Sequence, residues 1–164
     1  MNQEARESFG AFVAARSGSL IRTAYVLTGD QHSAEDLLQT ALAKTAAKWR
    51  GVRDHPEAYV RKVMYHEQVS RWRKYGREHA AEHLPERAHH DGDIDLRLTL
   101  EQALLRLPPR KRAVLVLRYF EDLPEAEIAS IMGSSVGTVR SQAHRALAQL
   151  RDLAPELAVH LEMA

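Results

Sequence analysis

The sequence predicts an all-α protein built from two small helical domains that are joined by a flexible linker. Apolar residues recur at spacings of three and four along most of the 164-residue chain, as they do on one face of a helix. No segment of strand length alternates apolar with polar residues. An acidic, histidine-rich run with one Pro and one Gly breaks the helical pattern at residues 78–95. We therefore predict helical domains at residues 1–77 and 96–164.

The composition is typical of a helical protein that folds without disulfides. Hydrophobic residues make up 45% of the chain, which is enough to bury a core. Cysteine is absent, which excludes disulfides, thiol catalysis and thiolate zinc sites from this chain. No apolar run approaches the ~20 residues of a transmembrane helix, and the N-terminus lacks the pattern of a secretory signal. We therefore expect no membrane insertion and a cytoplasmic location.

Charge is distributed unevenly along the chain. Residues 1–77 carry 13 Lys and Arg against 8 Asp and Glu, although the formal net charge of the whole chain is only +1. Residues 78–95 carry one basic residue against six acids, and residues 96–164 carry nine against eight. The chain is thus a basic module, an acidic strip and a near-neutral module.

The first half of the basic module predicts three helices. Two lie within residues 3–28 and end at Gly29, which favours the left-handed turn that closes a helix. Asp30 or Ser33 can cap the third helix, and Ser33 can form a loose capping box with Asp36. The expected core side of this third helix consists of Leu37, Leu38, Ala41, Leu42 and Thr45.

Residues 49–55 predict a basic turn, and Pro56 begins a long helix that mixes aromatic with basic residues. Aromatic faces can stack on unpaired bases while cations follow the phosphates, so this mixture is typical of a surface that binds single strands. The alternative is that the aromatic residues pack in the core, which we expect for about half of them, as in other helical cores. The residues concerned are Tyr59, Arg61, Lys62, Tyr65, His66, Arg71, Trp72, Arg73, Lys74 and Tyr75.

The linker contains four histidines beside its acids. Two of them, His79 and His83, have a spacing that metal ligands use, and His89 and His90 are adjacent. No third or fourth ligand stands at a fixed spacing, so we expect solvated linker histidines and no metal site.

The second domain predicts a helix over Leu96–Leu107, closed by two prolines, and another over Arg110–Phe120. Pro124 can occupy the first position of a short helix, and Gly133 can end it in a left-handed turn. Ser135 can cap the helix that follows. The inward side of that helix is expected to contain Val136, Val139, Ala143, Ala146 or Leu147, and Leu150.

Two short helices, a glycine turn and a polar face on the second helix predict a helix-turn-helix. In this motif the second helix enters the DNA major groove, where arginine can bind guanine through two hydrogen bonds. An ordinary helical hairpin with a solvated polar face is the structural alternative. The polar face contains Arg140, Ser141, His144, Arg145 and Ala148.

Three segments together resemble the extracytoplasmic-function sigma factors, the small alternative sigma subunits of bacterial RNA polymerase. AEDLLQTALAKTAAKW resembles their region 2.2, and PEAYVRKVMYHEQVSRWRKYGR resembles regions 2.3 and 2.4. LPPRKRAVLVLRYFEDLPEAEIASIMGSSVGTVRSQAHRALAQLR resembles region 4, most specifically in its GTVRSQAHRAL run. The order and spacing match across nearly the whole chain. The Ala/Arg-rich composition and the SRWRK run are similar to an actinobacterial subgroup.

The resemblance implies roles for three sets of residues. The −35 set would read duplex promoter DNA, with two of its members contacting the backbone: Arg118, Thr138, Arg140, Ser141, His144 and Arg145. The −10 set would capture a flipped base of the non-template strand and support its path: Trp49, Arg50, Arg53, Asp54, Tyr59, Lys62 and His66. The polymerase set would face the coiled coil of the β′ clamp: Glu35, Asp36, Leu38, Gln39 and Leu42.

The resemblance also implies partners and excludes catalysis. Such a chain would bind core RNA polymerase through its β′ clamp and β flap, and its acidic linker would follow the positively charged RNA path. Polymerase supplies the chemistry, so we expect neither enzymatic activity nor a cofactor. Sigma factors of this class often have an anti-sigma partner that covers the same faces, which is a hypothesis for this chain.

Four positions depart from the family pattern. His66 stands where many members have Asn, and Ser70 stands where many have Asp. Pro124 replaces the usual Ser cap of the motif's first helix. His144 replaces a position that is frequently aromatic or basic, so the −35 preference is open to a shift.

The main alternative is a helix-turn-helix transcriptional regulator that does not act as a sigma subunit. A receiver or ligand domain in its first half would show strands and a pocket, whereas this half is helical, basic and aromatic. A scaffold protein that uses its hairpins only for protein contacts would leave the exposed pair Arg140 and Arg145 unexplained. A metalloenzyme is the least favoured class because most of the acid and histidine clusters lie in the linker.

Overall fold

The computed structural model describes residues 1–75 and 96–157. Every regular element in this part of the chain is a helix, so the prediction of an all-α fold is confirmed. The chain divides into two units, Met1–Arg77 and Glu78–Ala164. The predicted linker at 78–95, with its four histidines, lies outside the described residues.

Unit 1 contains three long helices and one helix of a single turn. These are α1 (Gln3–Thr28), α2 (Gln31–Ala47), the single turn α3 (Trp49–Val52) and α4 (Pro56–Tyr75). Helices α1, α2 and α4 pack against one another, and α3 touches all three. Their shared core contains the fully buried side chains Leu20, Leu27, Leu37, Val60 and Met64.

Helix α1 is continuous, so the prediction of two helices within residues 3–28 is wrong. The side of α1 that faces the core runs from Phe9 through the half-buried Ser17 to Leu27, without a break at Gly18. The hydroxyl of Ser17 donates to the carbonyl of Val13, four residues back, at 2.5 Å, which is a bond typical of a helix interior. The prediction of the helix end is confirmed, since Gly29 has a left-handed φ of 88°.

Asp30 is the residue that caps α2. Its carboxylate accepts a hydrogen bond from the backbone N–H of Ser33 at 2.8 Å. Ser33 lies within the first turn of α2, so the alternative cap at Ser33 and the capping box with Asp36 are wrong. The expected core side is confirmed for Leu37 and most of its companions, which are buried, whereas Leu42 is half-buried.

Unit 2 contains the predicted helix-turn-helix and two helices that precede it in the chain. The elements are α5 (Leu96–Leu105), α6 (Pro109–Leu115), a π-helical segment (Val116–Phe120), α7 (Glu125–Met132), α8 (Val136–Leu153) and a short 3-10 turn (Pro155–Leu157). Helix α8 packs against α5, α6 and α7. The core of this unit includes Leu104, Val114, Leu117, Ile128 and Val139.

The π-helical segment is a feature that the sequence did not indicate. The predicted helix over Arg110–Phe120 is α-helical only to Leu115, after which the N–H of Glu121 donates to the carbonyl of Val116, five residues back. Asp122 then adopts a left-handed φ of 50°, which is uncommon outside glycine. The chain thus turns sharply between Arg118 and the start of α7.

Arg112 joins α5 to α6 from a buried position. Its guanidinium donates to the carbonyl of Leu105, the last residue of α5, at 3.2 Å. Burial lowers the pKa of Arg112 to about 10, which leaves the side chain charged at neutral pH. The bond satisfies a carbonyl that a helix end leaves without an intrahelical partner.

Candidate nucleic-acid and protein interfaces

The turn of the helix-turn-helix is built as the sequence predicts. Gly133 ends α7 with a left-handed φ of 64°. Ser135 caps α8, because its hydroxyl accepts a hydrogen bond from the N–H of Thr138 at 3.1 Å. The hydroxyls of Ser135 and Thr138 are also 2.9 Å apart. Pro124 precedes α7 as its N-cap instead of occupying the first helical position.

The two sides of α8 have opposite character. Val139, Ala146 and Leu150 are buried against the rest of unit 2. At 100° per residue, the −35 residues of α8 lie on the opposite arc. Thr138, Arg140, His144 and Arg145 are exposed there, and Ser141 is half-buried. The structure therefore brings these five side chains onto one accessible, mainly basic face.

Arg118 reaches the same neighbourhood from the π-helical segment. It is half-exposed, and its Nη2 lies 3.6 Å from a carboxylate oxygen of Glu125 in α7. The other oxygen of Glu125 accepts a hydrogen bond from Arg140 Nε at 2.6 Å. Sequence reasoning missed Glu125, because no local pattern indicates a contact between residues 15 positions apart.

Trp49 differs from the rest of the −10 set because its side chain is buried, with only 5% of its surface exposed. Its ring packs edge-on against Phe9 at a centroid distance of 5.1 Å and in a tilted arrangement against Phe12 at 5.6 Å. Its Nε1–H donates to the hydroxyl of Ser8 at 2.8 Å. In this arrangement the indole supports the loop from inside, although Trp49 is also one of the residues that line the adjacent cleft, and its contact with a base stays a prediction.

A cleft of about 550 Å³ lies beside Trp49. Arg50, Arg53 and Asp54 line one side, so the structure brings these members of the −10 set together with Trp49. The first turns of α1 line the other side, which sequence reasoning missed. The lining residues on this side are the N-cap Asn2 and, within α1, Glu4, Ala5, Ser8 and Phe12, and Pro56 of α4 completes the wall.

The remaining members of the −10 set follow along α4. Tyr59, Lys62 and His66 recur at spacings of three and four and therefore share a face of the helix. Tyr59 is half-buried, whereas Lys62 and His66 are exposed. Desolvation, followed by the nearby Lys62 and Arg73 cations, lowers the pKa of His66, and Glu67 opposes this effect.

The alternative that aromatic residues of α4 pack in the core holds for Tyr65, which is 2% exposed. Trp72 is half-buried. Arg61, one of the cations expected to follow phosphates, is engaged inside unit 1. It donates to the hydroxyl of Thr23 at 2.6 Å and to the carboxylate of Glu57 at 2.9 Å, which joins α4 to α1.

The polymerase set forms a polar surface over an apolar base on α2. Glu35, Asp36 and Gln39 are exposed as predicted, while Leu38 is buried and Leu42 is half-buried. Leu38 therefore supports the surface from below.

Ion pairs connect this surface to α4. Asp36 accepts a hydrogen bond from Arg71 at 2.9 Å, although 61% of the Asp36 side chain remains accessible. Two residues beyond the set, Lys44 forms an ion pair with Glu67. These two pairs join Asp36 and Lys44 of α2 to α4.

Within residues 1–75 and 96–157, no group of three or more acidic or histidine side chains is placed to hold a metal ion. None of the helices described in these two ranges is long and apolar enough to cross a membrane.

The chain matches two protein families, one over most of unit 1 and the other within unit 2. Residues 12–78 match the family described as Sigma-70 region 2, and residues 97–150 match the family described as Sigma-70, region 4. An RNA polymerase sigma-E factor from Streptomyces antibioticus is 40% identical over 149 residues, covering 88% of this chain and 83% of that protein. The sigma-E factor of Streptomyces coelicolor is also 40% identical, with coverages of 88% and 84%.

More distant similarity extends to a second genus and to a solved structure. The ECF RNA polymerase sigma factor SigE of Mycolicibacterium smegmatis is 33% identical over 167 residues, covering 92% of this chain and 63% of that protein. The sigma factor RpoE of Bartonella quintana, crystallised with the anti-sigma factor NepR, is 26% identical with a TM-score of 0.64. That similarity covers 90% of this chain and 96% of RpoE.

Proposed function

Because the chain belongs to the sigma-70 family, as a sigma factor of the extracytoplasmic-function type, we propose that it binds core RNA polymerase and directs promoter-specific initiation. The family consists of non-catalytic initiation factors, so polymerase performs the chemistry. The observation that carries the proposal is the match of residues 12–78 to region 2. A helix-turn-helix regulator would share α7 and α8, but it would not need this first unit.

In the proposal, α8 reads the −35 element as duplex DNA. Its capped N-terminus points a positive helix end toward the phosphates, and Thr138 and Arg118 are assigned to the backbone. Arg140 and Arg145 are assigned to base edges, since arginine binds guanine O6 and N7 through two hydrogen bonds. Ser141 and His144 complete the readout from the same exposed arc.

The cleft of unit 1 is the proposed site for a flipped base of the −10 element. Its volume lies within the range of about 300–1,000 Å³ that small-molecule sites occupy. Flipping costs a few kcal/mol, which a pocket with stacking and edge contacts can offset. Arg50 and Arg53 supply cations, and the Asp54 carboxylate can accept from an exocyclic amino group. Trp49 is proposed as the buried support of this loop.

The exposed surface of α2 is the proposed contact for the β′ clamp, with Glu35, Asp36 and Gln39 as its polar members. Lys62 and His66 are proposed to guide the displaced strand along α4. An anti-sigma factor is a further proposed partner. It is supported by the neighbouring structure of RpoE, which was crystallised with such a protein.

A double variant of α8 tests this division of labour. Arg140→Ala with Arg145→Ala should abolish transcription from a promoter that the wild-type holoenzyme uses, while a pull-down of core polymerase stays unchanged. A matched control, Arg106→Ala with Arg110→Ala, removes two exposed cations from unit 2 outside α8 and should leave initiation intact. Loss of core binding in the α8 variant would contradict the proposal. Tight, site-specific binding of duplex without polymerase would favour the regulator.

A further inference from the structure

Glu125 lies at the first position of α7 and faces two cations of the −35 set. Its Oε2 accepts from Arg140 Nε at 2.6 Å, and its Oε1 lies 3.6 Å from Arg118 Nη2. The Glu125 side chain is 23% exposed, whereas Arg140 is 69% exposed. The carboxylate is thus sheltered at the base of an arginine whose far end extends into solvent.

The position of this bond decides which edge of the guanidinium remains available. Arginine presents two pairs of parallel N–H donors, one that includes Nε along the side and one formed by the two terminal nitrogens. Glu125 occupies the Nε edge of Arg140. The two terminal nitrogens of Arg140 then remain available. They can donate two parallel hydrogen bonds, end-on, to guanine O6 and N7.

Stability alone gives little reason for this pair. An ion pair with one partner largely in solvent contributes little to folding, because solvent screens it and ordering two side chains costs entropy. The carboxylate also places a negative charge beside the surface assigned to DNA, which weakens attraction for phosphates of any sequence. Both effects point to a function in discrimination and not in overall affinity.

We propose that Glu125 is a positioning residue that fixes Arg140 for end-on readout of a guanine and thereby raises sequence discrimination at the −35 element. This inference rests on the proposed function of α8. Glu125 need not touch DNA in this account. It acts by limiting the orientations of Arg140 and by offsetting part of the charge of Arg118 and Arg140.

The test compares holoenzymes that carry wild-type protein, Glu125→Ala or Glu125→Gln. The probes are the −35 duplex selected by the wild-type holoenzyme and its single base-pair substitutions. The base pair read by Arg140 is the one whose substitution has no further effect in an Arg140→Ala background. At that base pair, Glu125→Ala should lower the ratio of matched to mismatched affinity roughly three- to tenfold, while affinity for unrelated duplex rises.

Two further variants separate positioning from charge. Glu125→Gln keeps an oxygen that can accept from Arg140 Nε, so it should restore most of the discrimination while unrelated duplex is still bound more tightly. Asp152→Ala removes an exposed acid from the far end of α8 and should leave the ratio unchanged. Glu125→Ala in the Arg140→Ala background should not change the ratio either.

An unchanged ratio in Glu125→Ala would overturn the inference, as would an equal loss at every base pair together with a lowered melting temperature. The second result would indicate a merely structural role. Failure of the proposed function gives a different result, since the wild-type holoenzyme itself would then select no −35 duplex.

Discussion

The two units hold their candidate DNA-binding residues in different ways. In unit 2, the readers lie on the open face of one capped helix, where Arg140 is hydrogen-bonded to Glu125. In unit 1, Trp49 is packed inside, and Arg50, Arg53 and Asp54 line a cleft between α1 and α3. This difference fits two substrates: a duplex offers its base edges to an exposed helix, whereas an unpaired base requires a cavity.

The largest effect is expected from truncating the support of the cleft. Trp49→Ala removes a buried indole that contacts Phe9 and Phe12, which should lower the free energy of unfolding of unit 1 by about 3–5 kcal/mol. Chemical denaturation followed by circular dichroism measures this change. Ser8→Ala, which removes only the hydrogen-bond partner of the indole, should cost about 1 kcal/mol. If Trp49→Ala abolished strand capture without loss of stability, Trp49 would be a stacking residue after all.

A reversed charge on α2 is expected to have the next largest effect. Asp36→Arg places a cation at the centre of the proposed clamp contact, and a pull-down should show at least about a tenfold loss of core binding, equivalent to about 1.4 kcal/mol. The variant also breaks the ion pair with Arg71, so Arg71→Ala is the matched control. Arg71→Ala should retain core binding. Equal losses in both variants would mean that the internal ion pair, and not the surface of α2, matters for binding.

Removing the cap of α8 should have a smaller effect that is confined to unit 2. Ser135→Ala loses the hydrogen bond to the N–H of Thr138, which should cost about 1 kcal/mol and lower the melting temperature of that unit by roughly 4–8 °C. Ser130→Ala, at an exposed position of α7, is the control and should change little. A drop in the stability of unit 1 instead would show that the two units do not unfold separately.

The smallest effect is expected for His66 and depends on pH. Its lowered pKa leaves the free imidazole neutral at pH 7.5. A phosphate near His66 would favour the imidazolium and raise the pKa of His66 in the complex. The affinity for the strand should therefore increase as the pH falls from the pKa of the complex toward that of the free protein. Holoenzyme binding to a single-stranded −10 oligonucleotide should therefore tighten roughly two- to fivefold from pH 7.5 to 6, and His66→Gln should remove this dependence. An unchanged dependence in the variant would place His66 away from the strand.

Much of unit 2 could be predicted because its signals are local. Gly133 and Ser135 act through hydrogen bonds that span only a few residues, so their roles follow from position in the sequence. The exposed face of α8 could be predicted from the spacing of three and four between its apolar residues. The family identification is likewise confirmed, since the motifs quoted from the sequence lie in the segments that match regions 2 and 4.

The parts that could not be predicted depend on contacts between distant residues. In the sequence, Trp49 is an aromatic residue in a basic turn. Its burial depends on contacts with Phe9 and Phe12, which lie about 40 positions earlier in the chain. Glu125 reads as an ordinary acid in the first turn of a helix, and its function depends on where α8 places Arg140. The base-contact role of Trp49 therefore stays a prediction, which the Trp49→Ala variant tests.

Transcription in vitro with a bacterial core enzyme on a library of randomised promoters tests the central claim most directly. The account predicts that this protein directs initiation from promoters enriched in two short elements at a fixed spacing, an upstream one protected as duplex and a downstream one that is melted. Failure to associate with core polymerase, or association that directs initiation at no selected sequence, would contradict it.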